Sequence, residues 1–429
     1  MLIARRLGAY ARRLFVAPES LDERNAYFLC AEVVLAGFIS AANSFNSAYI
    51  LRLGGSNALV GLLSSLPALV AVLLHIPCAR FLERRANYAP WVALSLFVHR
   101  LGFLAIVLLP FVTQRHLAEL TVAVLVAIAI PAVLFSTGWS PLLSDTIPPR
   151  TRAGVLAWRS ILSSGTIAPV LLIAGRWLDS APFPANYQWM YGVAWLLSGG
   201  VGIYLVSRVR LRPKEDESAV VEAHHPRGAW LASLRRAAAE NPGFVRIVAN
   251  TFLFNLGAWM VGPLYIIFYV RELGASDGWV GLVGMLAHVG VICGYSLWRR
   301  IIRRLGEGRT LLVSVPMVCI HPLLVALVPN LAFILFVEFL INVIAAGVNL
   351  SHGVLFLDLL PTGRKHSSTA IHSMVMNVGA FVCPLIGVAL ADRIGIVPTL
   401  FIGAAMRLAG ASLFHLFPVK PVDVRPQVA

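Results

Sequence analysis

Charge is what this sequence has least of. Only 13% of its 429 residues are Asp, Glu, Lys or Arg, about half the share found in soluble globular domains. Hydrophobic residues make up 58%, and apolar runs of 18 or more residues mark membrane-spanning helices. A soluble chain, a large α/β protein with buried helices included, is thereby excluded. Acids are scarcer than bases, 20 against 35, for a net charge of +15. In a soluble protein that excess would suggest nucleic acid. Here the bases gather between the apolar runs, so they read as orientation signals, and no nucleic-acid partner is expected. The five cysteines (Cys30, Cys78, Cys293, Cys319, Cys383) are scattered singly without metal-ligand spacing, so they read as small hydrophobes and no metal or cofactor is expected. A Gly-x4-Gly-Lys-Ser/Thr loop is missing, which argues against ATP drive within the chain. Paired-His helix motifs and Gly-x-Ser-x-Gly are missing too, which argues against an enzyme. Arg5, Arg6, Arg12 and Arg13 interrupt the first fifteen residues, leaving no signal-peptide core. That segment reads as a basic amphipathic helix on the cytoplasmic leaflet.

What is present is a series of long apolar segments. Charges, prolines and glycines divide them into helices near 26–50, 57–80, 89–111, 117–144, 153–179 and 187–207, then 243–270, 278–298, 309–329, 331–358, 365–391 and 395–417. Between the two sets lies a polar run with Arg208, Arg210, Arg212, Lys214, Glu215, Asp216, Glu217, Arg227, Arg235 and Arg236, which cannot sit in lipid. The expected organisation is a basic N-terminal segment 1–25, a six-helix bundle 26–207, a cytoplasmic linker 208–241, a second bundle 242–417 and a tail 418–429. The two halves are related in sequence. Leu53-Gly54-Gly55-Ser56 through Val60-Gly61-Leu62 aligns without gaps to Leu273-Gly274-Ala275-Ser276 through Val280-Gly281-Leu282, an offset of 220. Asp145, Pro148 and Asp179 meet Asp358, Pro361 and Asp392 at an offset of 213. Such self-similarity signals a repeat architecture.

Basic residues set the orientation. With the N-terminus inside, the outer loops hold Arg52, Arg115, Arg176, Arg271 and Arg393, while the inner segments hold most of the rest, including Arg84, Arg85, Arg150, Arg152 and Arg299 to Arg304. Both termini are therefore expected in the cytoplasm.

Polar residues inside the spans are the candidate site. In the first span Glu32, Asn43 and Asn46 fall at offsets of 11 and 14, within about 40° of one line on a helix of 3.6 residues per turn. In the tenth, Glu338, Asn342, Asn349 and His352 repeat the acid, +11, +14 spacing. A charge at the bilayer centre costs roughly 2.5–3.5 kcal/mol or more, so such stripes face a cavity or partner helices. The asparagines fit cargo contacts and interhelical hydrogen bonds equally well. Ser136, Ser140 and Ser144 share a face of the fourth span beside Trp139, where close packing is the competing use. The seventh span adds Asn255 and Trp259 near the break at Gly262-Pro263. Arg100, mid-way along the third span, reads as a buried structural pair, and Arg159 as paired with Asp145 or reaching inward. His288, His321 and His372 read as isolated.

The loop Pro77-Cys78-Ala79-Arg80-Phe81-Leu82-Glu83-Arg84-Arg85 resembles a loop motif of the major facilitator superfamily, in which a small residue is followed four positions later by an acid and then by bases. The motif's second glycine is not matched. Gly165-x3-Pro169 resembles in part that family's glycine-proline pattern. The resemblance spans about 25–417. It implies an all-α membrane protein of twelve transmembrane helices, two six-helix bundles related by a pseudo-twofold axis along the membrane normal, with the site at mid-membrane. It further implies that the first, fourth, seventh and tenth helices line the cavity. Arg80, Glu83, Arg84, Asp145, Arg152, Arg159 and Asp358 would then form a cytoplasmic gate. Two readings stay open. One is a secondary transporter of a small organic solute, H+-coupled through Glu32 or Glu338, monomeric, in the cytoplasmic membrane and working as an efflux system. The other is a family-like protein that binds or assembles a membrane partner without transporting.

Overall fold

A computed structural model describes residues 20–85, 87–211, 242–360 and 365–418. The expected N-terminal amphipathic helix, most of the linker and nearly all of the tail lie outside the described residues. Among those described, no strand occurs, as expected where every backbone N–H and C=O in lipid must be satisfied within its own segment. Among them too, twelve helices are long and apolar enough to span a membrane. They are α1 (Leu21–Arg52), α2 (Asn57–Glu83), α3 (Ala89–Val112), α4 (Leu117–Thr146), α5 (Arg150–Ser180) and α6 (Ala185–Ser207). After the linker follow α7 (Pro242–Glu272), α8 (Asp277–Leu305), α9 (Glu307–Leu327), α10 (Leu331–Asp358), α11 (Ile371–Ile394) and α12 (Ile396–Leu416).

Local chemistry explains where these helices start and bend. Ser20 caps α1: its hydroxyl accepts from Glu23 N at 3.2 Å, and the Glu23 carboxylate accepts from Ser20 N at 3.3 Å, a reciprocal capping box. Asn330 caps α10 by accepting from Ala332 N and Phe333 N. Helix α1 is interrupted at Ser44–Phe45, α4 at Ile128 and α9 at Ile320. The last two breaks lie just before Pro131 and Pro322, whose missing N–H and ring clash interrupt a helix. At the α4 break, His99 of α3 donates from Nδ1 to the Ile128 carbonyl at 3.0 Å. Helices α6 and α7 each contain a wider π turn, over Leu196–Gly202 and Phe268–Glu272.

The repeated sequence folds the same way twice. Gly54 and Gly274 both take positive φ, 80° and 65°, a region where a Cβ is strained. Each lets the next N–H turn back, Gly55 N to Ile50 O at 2.9 Å and Ala275 N to Tyr269 O at 2.8 Å. Ser56 and Ser276 then cap the following helices, accepting from Leu59 N and Trp279 N. At the other end of α1 and α7, Asn25 donates to Arg210 O beyond α6, and Asn250 donates to Leu413 O and Phe417 O at the end of α12.

The chain divides into two compact units. One comprises Met1–Gly55, Val70–Ser218 and Ser276–Met285, the other Ser56–Leu69, Ala219–Ala275 and Leu286–Ala429. The division follows the two halves except that the first turns of α2 and α8 are exchanged. In the first unit Ala26, Leu29, Cys30, Leu143, Ile147 and Val155 form one core cluster. A nest of Tyr49, Tyr187 and Tyr191 fills another part, with the first two rings stacked at 4.6 Å. In the second unit Ile247, Phe254, Leu311, Val315, Leu355 and Phe414 pack together. Helices α7 and α12 approach so closely that a Cβ on Gly257 would lie 2.5 Å from Gly403 O. Small residues permit such backbone contact where lipid supplies no hydrophobic drive between helices. Gly257→Ala is therefore expected to lower stability by roughly 1–3 kcal/mol. Gly262→Ala, which meets nothing within 4 Å, should leave it unchanged or raise it by up to about 1 kcal/mol. Thermal unfolding of the two variants in detergent distinguishes these outcomes.

Candidate functional site

Each unit carries a buried polar cluster. In the first, Glu32 of α1 is 3% exposed and lies between two arginines. Its Oε1 accepts from Arg100 Nη2 of α3 at 2.5 Å, and its Oε2 lies 3.5 Å from Arg159 Nη2 of α5. Arg100 also donates from Nη1 to Ser198 O at 2.6 Å, in the π turn of α6. Arg159 donates to Leu29 O and sets its guanidinium 4.8 Å over the Trp139 ring of α4, where the ring's quadrupole attracts a cation. Arg100 is thus the buried pair its mid-span position suggested. Arg159 pairs with Glu32 and not with Asp145, because α5 turns it toward α1 while Asp145 accepts from Tyr88 Oη at 2.7 Å.

The asparagines of α1 sit at its break and not on a continuous stripe. Asn46 Nδ2 donates to Asn43 Oδ1 at 2.9 Å, and Tyr191 Oη donates to Asn46 Oδ1 at 2.8 Å. Asn43 remains exposed and Asn46 is buried. Ser136 and Ser140 lie on an uncovered face of α4, the former donating to Val133 O.

In the second unit, Glu338 of α10 meets two other helices. Tyr269 Oη of α7 donates to its Oε1 at 2.9 Å, and His321 Nε2 of α9 lies 3.3 Å from the same oxygen. Tyr265, one turn before Tyr269, stacks on the His321 ring at 4.6 Å. Asn342 donates to the Glu338 carbonyl, and Asn349 is exposed further along α10. His352 shares a hydrogen bond of 2.8 Å with Thr251 Oγ1 of α7, its ring centroid 6.3 Å from that of His372. Asn255 and Trp259 of α7 are half-buried, Trp259 beside Phe252. His321, read from sequence as isolated, is the partner of the acid. Its position beside Pro322, at a break in α9, is the signal that could have singled it out.

The basic loop residues behave differently. Arg85 lies between Phe81 and Trp91, 4.9 and 4.4 Å from their ring centroids. Arg152 donates to Ser144 O and Ile147 O, closing the end of α4. Among the described residues Arg80, Glu83, Arg84, Asp145, Arg152 and Asp358 make no ion pair.

A set of polar contacts at the opposite helix ends was not anticipated. Within the first unit Arg52 Nε lies 3.4 Å from Asp277 Oδ1, and Ser276 Oγ donates to Asp179 Oδ2 at 2.8 Å. Within the second, Asn57 Nδ2 donates to Asp392 Oδ1 at 2.8 Å, and Arg271 Nη1 donates to Asn57 Oδ1 at 2.5 Å. Four of these positions form two pairs of repeat mates. Asn57 and Asp277 differ by 220 and Asp179 and Asp392 by 213. Polar residues coinciding under the repeat alignment were the available signal. Gly175, Gly278 and Gly281 let α5 and α8 touch backbone to backbone beside the first set.

Removing the counter-charge of the first cluster has a defined cost. Glu32→Gln strands Arg100 and Arg159 and is expected to destabilise the protein by roughly 3–5 kcal/mol. Arg100→Met added to it should recover part of that loss, and thermal unfolding of the single and double variants measures both.

A family model described as Major Facilitator Superfamily matches residues 28–384 and 247–429. No curated protein matches. Among solved structures, a bacterial homologue of the iron transporter ferroportin in an inward-facing state has a TM-score of 0.71 at 14% identity, covering 93% of this chain and 99% of that one. A mutant form of the nucleoside transporter NupG has 0.69 at 12% identity, with 93% and 100% covered. A bacterial homologue of the human lysosomal transporter Spinster, inward-facing and unoccupied, has 0.66 at 14%, with 92% and 96% covered. Matched by the family's model along nearly its whole length, and sharing the twelve-helix fold of these membrane transporters, the chain belongs to the major facilitator superfamily.

Proposed function

We propose that this protein is a secondary active transporter that moves a small organic, amphiphilic solute out across the cytoplasmic membrane by alternating access, with H+ as the coupling ion. It works as a monomer with both termini in the cytoplasm. The observation that carries the coupling is the contact of Glu338 with His321 and Tyr269. In this reading a carboxylate and an imidazole 3.3 Å apart hold one proton between them. With it the pair is neutral, and without it the pair carries one negative charge inside the membrane, where an uncompensated charge is costly. Loading that proton is therefore tied to the arrangement of α7, α9 and α10, which supply the three side chains. Glu32 is the weaker candidate for coupling, since both of its oxygens face arginines and a proton on it would leave two cations without a counter-ion.

The cargo contacts are Asn43, Asn46, Ser136 and Ser140 in one unit and Asn255, Trp259, Asn342, Asn349 and His352 in the other. Amides, hydroxyls and an indole suit an organic solute of modest polarity. Arg80, Glu83, Arg84, Asp145, Arg152, Arg159 and Asp358 serve the cytoplasmic gate. The Arg52–Asp277, Asp179–Ser276 and Asn57–Asp392 contacts serve the outer one, as orientation by basic loops places those helix ends outside.

Two measurements test this reading. A thermal-shift screen of amphiphilic compounds supplies a cargo, and uptake into proteoliposomes follows it. Glu338→Gln is expected to abolish transport driven by a proton gradient while leaving exchange of cargo down its own gradient within a few-fold of the parent. Gradient-driven transport at the parental rate would refute the assignment of the proton to Glu338. Separately, Asp179→Cys with Ser276→Cys places two thiols where a carboxylate and a hydroxyl now touch. Oxidation is expected to cross-link them and stop transport, and reduction to restore it. Full activity with the cross-link formed would remove this contact from the gate.

A further inference from the structure

A cavity of about 280 Å3 opens where α1 begins and α6 ends, lined by Leu21, Arg24, Phe28, Tyr204, Arg208 and Arg210. Asn25 builds it. Its side chain is 1% exposed and clamps the chain that leaves α6, donating to Arg210 O at 2.8 Å and accepting from Arg210 N at 3.1 Å. It also donates to Thr146 O at 3.2 Å, which fixes the end of α4 to the same point. The clamp brings Arg210 to the first turn of α1, beside Arg24. Arg208 is held as well: Nη2 donates to Tyr204 Oη at 2.7 Å, and the guanidinium lies 4.7 Å over the Tyr204 ring. Three arginines are thus gathered at one place. Among the described residues none of the three has a carboxylate partner. The nearby acids Asp22 and Glu23 do not line the cavity, and Glu23 is spent on the Ser20 cap. Like charges held together repel, and an anion between them reverses the sign of the interaction.

The position of the cavity selects the anion. The span of α1 starts at Leu21 and that of α6 stops at Ser207, so the arginines sit at the level where apolar helix gives way to polar chain. From there an uncovered apolar row runs into the span along α6, through Tyr204, Val201, Leu196 and Val193. At Gly200 nothing stands within 4 Å of where a Cβ would be. We propose that this cavity binds the phosphodiester head group of one acidic glycerophospholipid, with Arg24, Arg208 and Arg210 on the phosphate and an acyl chain along the α6 row. Basic pockets between membrane helices suit such head groups. The other basic groove, about 570 Å3 between Pro77, Arg80, Phe81, Arg84 and Arg85, lacks a clamp of this kind, and its Arg85 already lies against two aromatic rings.

The site is tested on delipidated full-length protein by native mass spectrometry, without recourse to transport. Phosphatidylglycerol, phosphatidylcholine with the same acyl chains, and inorganic phosphate are titrated in turn. One phosphatidylglycerol is expected to bind at least tenfold more tightly than phosphatidylcholine, and millimolar phosphate is expected not to displace it. Each arginine is expected to contribute about fivefold, from about 1 kcal/mol per basic residue near an anionic surface. The three single variants Arg24→Gln, Arg208→Gln and Arg210→Gln should then weaken binding several-fold each and the triple variant about 100-fold. Arg115→Gln, at the far end of α3, should have no effect. Arg208→Lys with Arg210→Lys keeps the charge and should retain binding within about fivefold, which separates a lost site from a lost fold. Equal binding of the two lipids, unaltered phosphatidylglycerol binding by the triple variant, or displacement by phosphate alone would each overturn the proposal.

Discussion

The structure depends on one constraint, that a charge inside lipid must be met by a group from another helix. Because the spans contain so few ionisable residues, the two buried acids each pin several helices at once. Glu32 alone ties α1 to α3 and α5, and through Arg100 to the π turn of α6. Glu338 ties α10 to α7 and α9. Breaking one such contact exposes a charge whose cost is several kcal/mol, far above the few tenths of a surface pair. Scarcity of charge thus raises the structural weight of each one that remains.

The two units share a scaffold and differ in the chemistry placed on it. The glycine turns at Gly54 and Gly274, the serine caps at Ser56 and Ser276, and the asparagine clamps at Asn25 and Asn250 are the same devices used twice. The clusters are not. One is a carboxylate between two guanidiniums, with an aromatic face over the excess cation. The other is a carboxylate with an imidazole and a phenol, groups that bring no second permanent charge. A repeat keeps backbone solutions because those are set by hydrogen bonding. It is free to vary side chains wherever their charges are balanced locally.

That difference also explains what could be read in advance. Spans, loop positions and the repeat follow from apolar run length and from Gly, Ser and Asn at turns, and they stand in the structure as the sequence implied. In α1, Glu32 and Asn43 keep their phase on one unbroken helix, but Asn46 lies past the break at Ser44–Phe45, where a 3.6-residue phase no longer holds. Arg159 read as paired with Asp145 or reaching inward, and only the turn of α5 brings it to Glu32. His321 has no neighbour in sequence that hints at Glu338, seventeen positions later on another helix. Contacts between helices depend on rotation about their axes, which a single chain's periodicity fixes to within one face and no better.

The contacts at the loops α1–α2, α5–α6, α7–α8 and α11–α12 obey the opposite rule to the buried clusters. Arg52 is one-third exposed where it meets the buried Asp277, and the Asp179–Ser276 and Asn57–Asp392 contacts are hydrogen bonds at exposed positions. The helices beside them meet through Gly175, Gly278 and Gly281, with backbone close to backbone. Helix ends joined this way are held by several contacts and not by one buried cluster. In the transport cycle we propose, two conformations must differ by only a few kcal/mol if a bound ligand is to shift their populations, which several exposed contacts allow more readily than a buried triad like that of Glu32. Strong charges inside each unit keep its helices together, and the helix-end contacts add several exposed hydrogen bonds within the same units.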